Sequence, residues 1–76
     1  MIEEKIAEIL SQILKHKIKP GDVVQRKTEE MWDSLKHIEI IVTLEEELDV
    51  SIPADKAKDL DSMEKIFTLI KGLKNE

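Results

Sequence analysis

The sequence contains no cysteine among its 76 residues, which excludes disulfide bonds and thiolate zinc sites. This absence fits a reducing compartment, and we expect a cytoplasmic protein. Apolar runs stay well short of the roughly 18 residues of a membrane span, and no signal sequence opens the chain, so we expect no membrane insertion. We expect one domain, residues 1–76. A chain of this length has too few residues to form both a hydrophobic core and a deep active site of its own. An enzyme acting alone is therefore disfavoured.

Aromatic residues are also scarce, at 3% of the chain, and the net charge is −5, so nucleic-acid binding is not expected. The negative charge is concentrated in the middle of the sequence. Residues 28–64 carry a net charge of −9, whereas residues 1–27 and 65–76 each carry +2. An acidic surface of this kind steers basic protein partners through an attraction that salt weakens. For any single acid, the simpler interpretation is a solvated side chain that keeps the protein soluble.

What the sequence has throughout is helical periodicity, with no competing strand pattern. Three segments are predicted to be helices, the second running from about Ser34 to Leu48. In the first and the last, the apolar residues share one helical face. They are Ile2, Ile6, Ile9, Leu10, Ile13 and Leu14 in the first and Met63, Ile66, Phe67, Ile70 and Leu73 in the last. A short helix from Ala54 to Lys58 follows Ile52-Pro53, and Asp61 with Glu64 predicts a capping box for the last helix. The sequence therefore predicts an all-α fold, a small bundle of three main helices plus one short helix.

Two features exceed what a minimal bundle needs. The first is a long loop between helices 1 and 2, nineteen residues from Lys15 to Asp33, which is longer than most connections in compact domains. We expect four apolar residues to anchor this loop against the helices: Val23, Val24, Met31 and Trp32. The second is the second helix, whose apolar residues spread over more than half its circumference. Either this is the central helix that contacts all the others, which is the simpler expectation, or one apolar edge is left for a partner.

The segment Trp32-Asp33-Ser34-Leu35 places a single serine at the start of the second helix. If Asp33 is the N-cap, Ser34 becomes the first helical residue and its hydroxyl is not used in capping. A phosphodiester attached there would lie beside free backbone N–H groups and the positive end of the helix dipole. The alternative is that Ser34 is itself the cap.

Asp33-Ser34-Leu35, the run from Ile38 to Leu48 with its Leu-Glu-Glu-Glu-Leu ending, Ile52-Pro53 and the final apolar helix together resemble the acyl carrier proteins and related peptidyl carrier domains. The first helix is also similar, so the resemblance covers nearly the whole chain. It implies that a phosphopantetheinyl transferase attaches 4′-phosphopantetheine from coenzyme A to Ser34, with Asp33 and Leu35 beside it. The arm would hold acyl or aminoacyl groups as thioesters, and the protein would be a carrier rather than an enzyme.

The resemblance also assigns two sets of side chains. The edge presented to partners comprises Leu35, Lys36, Ile38, Glu39, Val42, Glu46 and Glu47. The pocket that shelters an acyl chain comprises Ile41, Leu44, Ala57, Leu60 and Ile66, which would otherwise be ordinary core residues. The implied partners are acyl-loading and acyl-transfer enzymes with basic docking surfaces, and we expect a monomer.

The chain departs from the family pattern on both sides of Ser34. Glu30-Met31-Trp32 stands where the family often has Leu-Gly-x, so Trp32 brings a large amphipathic side chain close to the serine. Lys36 and His37 reduce the negative charge where partners would dock. These departures suggest a specialised lipid, polyketide or envelope pathway rather than bulk fatty acid biosynthesis.

The same residues also allow other functions. A non-catalytic helical interaction module with Ser34 unmodified is the main alternative. Ser34 and His37, one turn apart, could suggest a nucleophile and its base, but no third group orients the imidazole. Asp33 and His37 could share a metal, yet two ligands do not make a site, so no metal is expected.

Overall fold

The computed structural model describes residues 1–74, and within them the fold is all-α, as the sequence predicts. Four α-helices follow one another: α1 Ile2–Leu14, α2 Ser34–Leu48, α3 Ala54–Ala57 and α4 Met63–Lys74. A 3₁₀ turn at Arg26–Thr28 interrupts the long loop between α1 and α2. The predicted α2 has the observed bounds, and α3 is one residue shorter than expected. None of the helices in residues 1–74 is long and apolar enough to cross a membrane.

The centre of the bundle is α1, which packs against both α2 and α4. Its residues Ile6, Leu10 and Leu14 are fully buried, together with Ile40 of α2 and Ile66 of α4. The α2 helix contacts α1 as well as α3 and α4, since His37 Nε2 lies 2.8 Å from the Ala57 carbonyl oxygen and the Lys74 ammonium donates to the Leu48 carbonyl oxygen at 3.0 Å. The expectation that α2 contacts all the other helices is therefore confirmed, although α1 occupies the centre of the bundle. Because α1 takes the central position, α2 buries a single stripe and leaves an apolar edge in solvent.

The long loop, residues 15–33, is anchored by three buried side chains: Ile18, Val24 and Trp32. Of the four predicted anchors, Val24 and Trp32 are confirmed. Val23 and Met31 are wrong, because they are 86% and 41% exposed. Extended backbone points successive side chains to opposite sides, so burying Val24 turns its neighbour outward.

The start of α4 corrects the predicted capping box. Ser62, rather than Asp61, caps the helix, since its Oγ accepts the backbone N–H of Lys65 at 3.1 Å. Asp61 Oδ1 instead lies 3.0 Å from the Lys65 ammonium, which lowers the pKa of that carboxyl. At the other end of α4, Leu73 is 44% exposed and does not continue the buried face.

Candidate functional site

Ser34 occupies the first position of α2, with its side chain in solvent. The preceding residue, Asp33, is extended, and its Oδ1 accepts the backbone N–H of Lys36 at 2.9 Å. Asp33 is therefore the N-cap, as predicted, and the Ser34 hydroxyl is not used for capping. The first N–H groups of an α-helix have no intrahelical acceptor, and the helix dipole adds positive potential there. A phosphate ester on Ser34 would fit this position.

A guanidinium that the sequence patterns did not reveal also reaches Ser34. Arg26 Nη2 donates to Ser34 Oγ across 3.4 Å, a long hydrogen bond. Arg26 begins the 3₁₀ turn, and its backbone N–H is fixed by the carbonyl of Asp61 at 2.8 Å. It lies in a loop without periodicity, so no local pattern could have placed it beside the serine.

Trp32 and His37 are buried, at 3% and 9% exposure. The Trp32 indole N–H donates to His37 Nδ1 at 3.0 Å, and His37 Nε2 lies 2.8 Å from the carbonyl oxygen of Ala57. An indole N–H only donates and a carbonyl only accepts, so the neutral imidazole with its proton on Nε2 satisfies both contacts. The expectation that His37 reduces the negative charge of the docking surface is therefore wrong, whereas the burial of Trp32 agrees with its predicted role as a loop anchor.

The reason lies in the spacing along α2. His37, Ile40, Leu44 and Leu48 form the buried stripe of the helix. His37 precedes Ile40 by three residues and Leu44 by seven, so it shares their face. Its two ring nitrogens find partners there, and residues 1–74 contain no buried side-chain polar atom without a hydrogen bond.

This burial also bears on the catalytic and metal alternatives. Both His37 nitrogens are engaged, by Trp32 and Ala57, so the ring is not arranged to take a proton from Ser34. Within residues 1–74, no group of three or more histidine, aspartate or glutamate side chains is placed to hold a metal ion. The site offers an accessible hydroxyl and nearby donors rather than a nucleophile with its base.

The apolar edge of α2 begins next to Ser34 and consists of Leu35, Ile38 and Val42, which are 77%, 60% and 45% exposed. These residues are three and four positions apart and so share one face. They belong to the predicted partner-binding set, and Leu35 directly follows the candidate serine. Their exposure matches the alternative in which α2 keeps an edge for a partner.

The charged members of the predicted partner set differ in their surroundings. Lys36 Nζ lies 3.4 Å from Glu39 Oε1 one turn along α2. Glu46 is exposed. Glu47 is turned toward α1, where its carboxylate lies 3.2 Å from the Lys5 ammonium. This hydrogen-bonded pairing raises the pKa of Lys5.

The five residues of the predicted acyl pocket are packed within the hydrophobic core or against it. Leu44, Leu60 and Ile66 are buried, whereas Ile41 and Ala57 are partly exposed. A cavity of about 260 Å³ lies elsewhere, between the start of α1, the loop and the start of α4, and none of the five residues lines it. An acyl chain would have to separate the side chains of the predicted pocket in order to enter.

Comparison with known proteins finds similarity over nearly the whole chain. No family model matches the sequence. The acyl carrier protein of Buchnera aphidicola subsp. Baizongia pistaciae (strain Bp) is 35% identical over 77 residues. The alignment covers 92% of this chain and 91% of the relative.

Proposed function

Because this chain belongs to the acyl carrier protein family and is therefore a carrier rather than an enzyme, we propose that Ser34 is the residue through which it carries its cargo. A 4′-phosphopantetheine arm on Ser34 would hold acyl or aminoacyl groups as thioesters. The observation that supports this assignment is the accessible Ser34 hydroxyl, which Asp33 leaves free by capping α2 itself. The sequence contains no cysteine, so the arm must supply the thiol.

The attachment is a phosphoryl transfer carried out by a separate transferase. Ser34 Oγ attacks the phosphorus of coenzyme A that bears the pantetheine, and a new Oγ–P bond forms. The pyrophosphate P–O bond breaks, adenosine bisphosphate leaves, and a base of the transferase takes the hydroxyl proton. This chain contributes the oriented hydroxyl and the positive potential at the start of α2.

We propose that the apolar edge of Leu35, Ile38 and Val42 is the docking surface for the transferase and for acyl-loading and acyl-transfer enzymes. Exposed Glu39 and Glu46 lie on the same helix, so partners with basic docking surfaces would be favoured. Binding should weaken as salt is added, because exposed charges are screened.

A specialised lipid, polyketide or envelope pathway in the cytoplasm remains our proposal for the setting. Because Trp32 and His37 are buried, the surface residue that supports this proposal is Lys36, next to Leu35. The proposal requires that enzymes of bulk fatty acid elongation use this loaded carrier poorly. Equal rates with their own carrier would refute it.

The decisive experiment is intact-mass measurement after incubation with coenzyme A and a broad-specificity phosphopantetheinyl transferase. We expect a gain of one phosphopantetheine in the wild type and in Ser51→Ala, which removes another exposed serine, and no gain in Ser34→Ala. An unmodified wild type would refute the carrier assignment of Ser34 and favour the helical interaction module.

A further inference from the structure

We propose that Arg26 binds the phosphodiester of the arm on Ser34 and holds its first atoms against the start of α2. This inference rests on the proposed function, since it needs the modified serine. The observation behind it is the hydrogen bond of 3.4 Å from Arg26 Nη2 to Ser34 Oγ, the oxygen that would become part of the ester.

The position of Arg26 is fixed by the packing of the loop against α4. The Arg26 N–H donates to the Asp61 carbonyl at 2.8 Å, and the Met63 N–H donates to the Val24 carbonyl at 2.9 Å. Val24, two residues before Arg26, is buried in the core. The backbone of Arg26 is therefore held from the start of α4 while its side chain reaches the start of α2. A preorganised group of this kind loses less conformational entropy when it binds.

The charge of Arg26 is also available for a phosphate. Two other cations are paired, Lys36 with Glu39 and Lys65 with Asp61. Among residues 1–74, no carboxylate lies within ion-pairing distance of the Arg26 guanidinium. Its hydrogen bond goes to a neutral hydroxyl instead.

Modification of Ser34 would change the strength of this contact. A bond of 3.4 Å to a neutral oxygen is long and weak, whereas guanidinium–phosphate bonds are charge-assisted, shorter and often bidentate. The neighbouring Asp33 carboxylate would repel the phosphodiester, although its Oδ1 already accepts the Lys36 N–H. The Arg26 cation offsets that repulsion and adds to the free N–H groups of the first turn.

The test compares the phosphorus NMR spectra of modified wild type, Arg26→Gln, Arg26→Lys and Lys27→Gln. Lys27 is an exposed neighbour in the same 3₁₀ turn, so its substitution makes the same change in net charge. We expect the phosphodiester resonance of Arg26→Gln to move toward that of the modified wild type unfolded in urea, and that of Arg26→Lys to move part of the way. Lys27→Gln should match the wild type. In the wild type, hydrogen exchange of the Arg26 guanidinium should slow several-fold on modification.

The outcomes separate this inference from the proposed function. Intact mass first establishes that each variant is modified, and circular dichroism of the unmodified Arg26→Gln establishes that it folds. If the modified Arg26→Gln and Lys27→Gln proteins give the wild-type spectrum, the phosphate-binding role is wrong while Ser34 remains the attachment site. If the wild type gains no phosphopantetheine, both proposals fail together.

Discussion

The Trp32–His37 hydrogen bond gives the sharpest stability prediction. Trp32→Phe keeps an aromatic ring but removes the indole N–H, which leaves the buried His37 Nδ1 without a donor. An unsatisfied buried acceptor costs about 1–3 kcal/mol, and the lost ring atoms add roughly 1 kcal/mol of packing. The total of about 2–4 kcal/mol is large against the ~4–11 kcal/mol expected for a domain of 76 residues. Tm should fall by at least ~8 °C.

The assay must follow the backbone, because Trp32 is the only tryptophan and the sequence has no tyrosine. We therefore propose urea unfolding monitored by far-ultraviolet circular dichroism. A double-mutant cycle with His37→Leu isolates the hydrogen bond, since removing the imidazole also removes the unsatisfied Nδ1. The coupling energy should be about 1–2 kcal/mol. Val23→Ala, at an exposed position of the same loop, is the control and should change stability by less than about 0.5 kcal/mol.

Two results would contradict this reasoning. If Trp32→Phe destabilises the protein no more than Val23→Ala does, Trp32 is not part of the core. If the single substitutions are additive within about 0.3 kcal/mol, the indole and the imidazole do not form the hydrogen bond on which the prediction depends.

Three further predictions concern the helix cap, pH and the apolar edge. Ser62→Ala removes the N-cap of α4 and should cost about 1 kcal/mol in urea unfolding, whereas Asp61→Ala should cost less; the reverse order would restore the predicted capping box. The hydrogen bond to Glu29 at 2.6 Å raises the pKa of His16 above 6.5, so Glu29→Gln should lower that pKa in an NMR titration. The pKa of His16 is higher in the folded than in the unfolded protein, so its ion pair with Glu29 stabilises the fold only while His16 is protonated. The difference in stability between wild type and Glu29→Gln should therefore be largest below about pH 6.5 and vanish as pH rises through the folded pKa. Ile38→Ser, on the exposed edge, should change stability by less than about 0.5 kcal/mol yet raise the transferase KM several-fold; an unchanged KM would place docking elsewhere.

The helices were predictable because their signals are local. Apolar spacing and the Asp33 cap define α2 within the sequence itself, and the observed bounds agree. The start of α4 shows where local signals stop. Asp61 and Ser62 are adjacent, and either could cap α4. The helix begins after Ser62, where the backbones of Val24 and Arg26 are hydrogen-bonded to those of Met63 and Asp61. That pairing joins residues far apart in the sequence, so no window around Asp61 contains it.

The surroundings of Ser34 were only partly predictable, for a similar reason. The polar character of His37 predicts a surface position, although its spacing from Ile40 and Leu44 places it on the buried stripe. Burial became possible because Trp32 and Ala57 satisfy both ring nitrogens, and neither partner follows from helical periodicity. The proximity of Arg26 to Ser34 depends in the same way on how the loop folds back.

The exposed edge of α2 follows from the central position of α1. Since α1 packs against both α2 and α4, the stripe from His37 to Leu48 is enough to attach α2 to the bundle. Had α2 been central, Leu35, Ile38 and Val42 would be needed in the core. Leaving three apolar side chains in solvent forgoes burial energy that a small domain could use. Partner enzymes that cover this edge when they dock would recover that burial energy. Because Leu35 is next to Ser34, a docked enzyme would contact the edge and reach the arm at the same time.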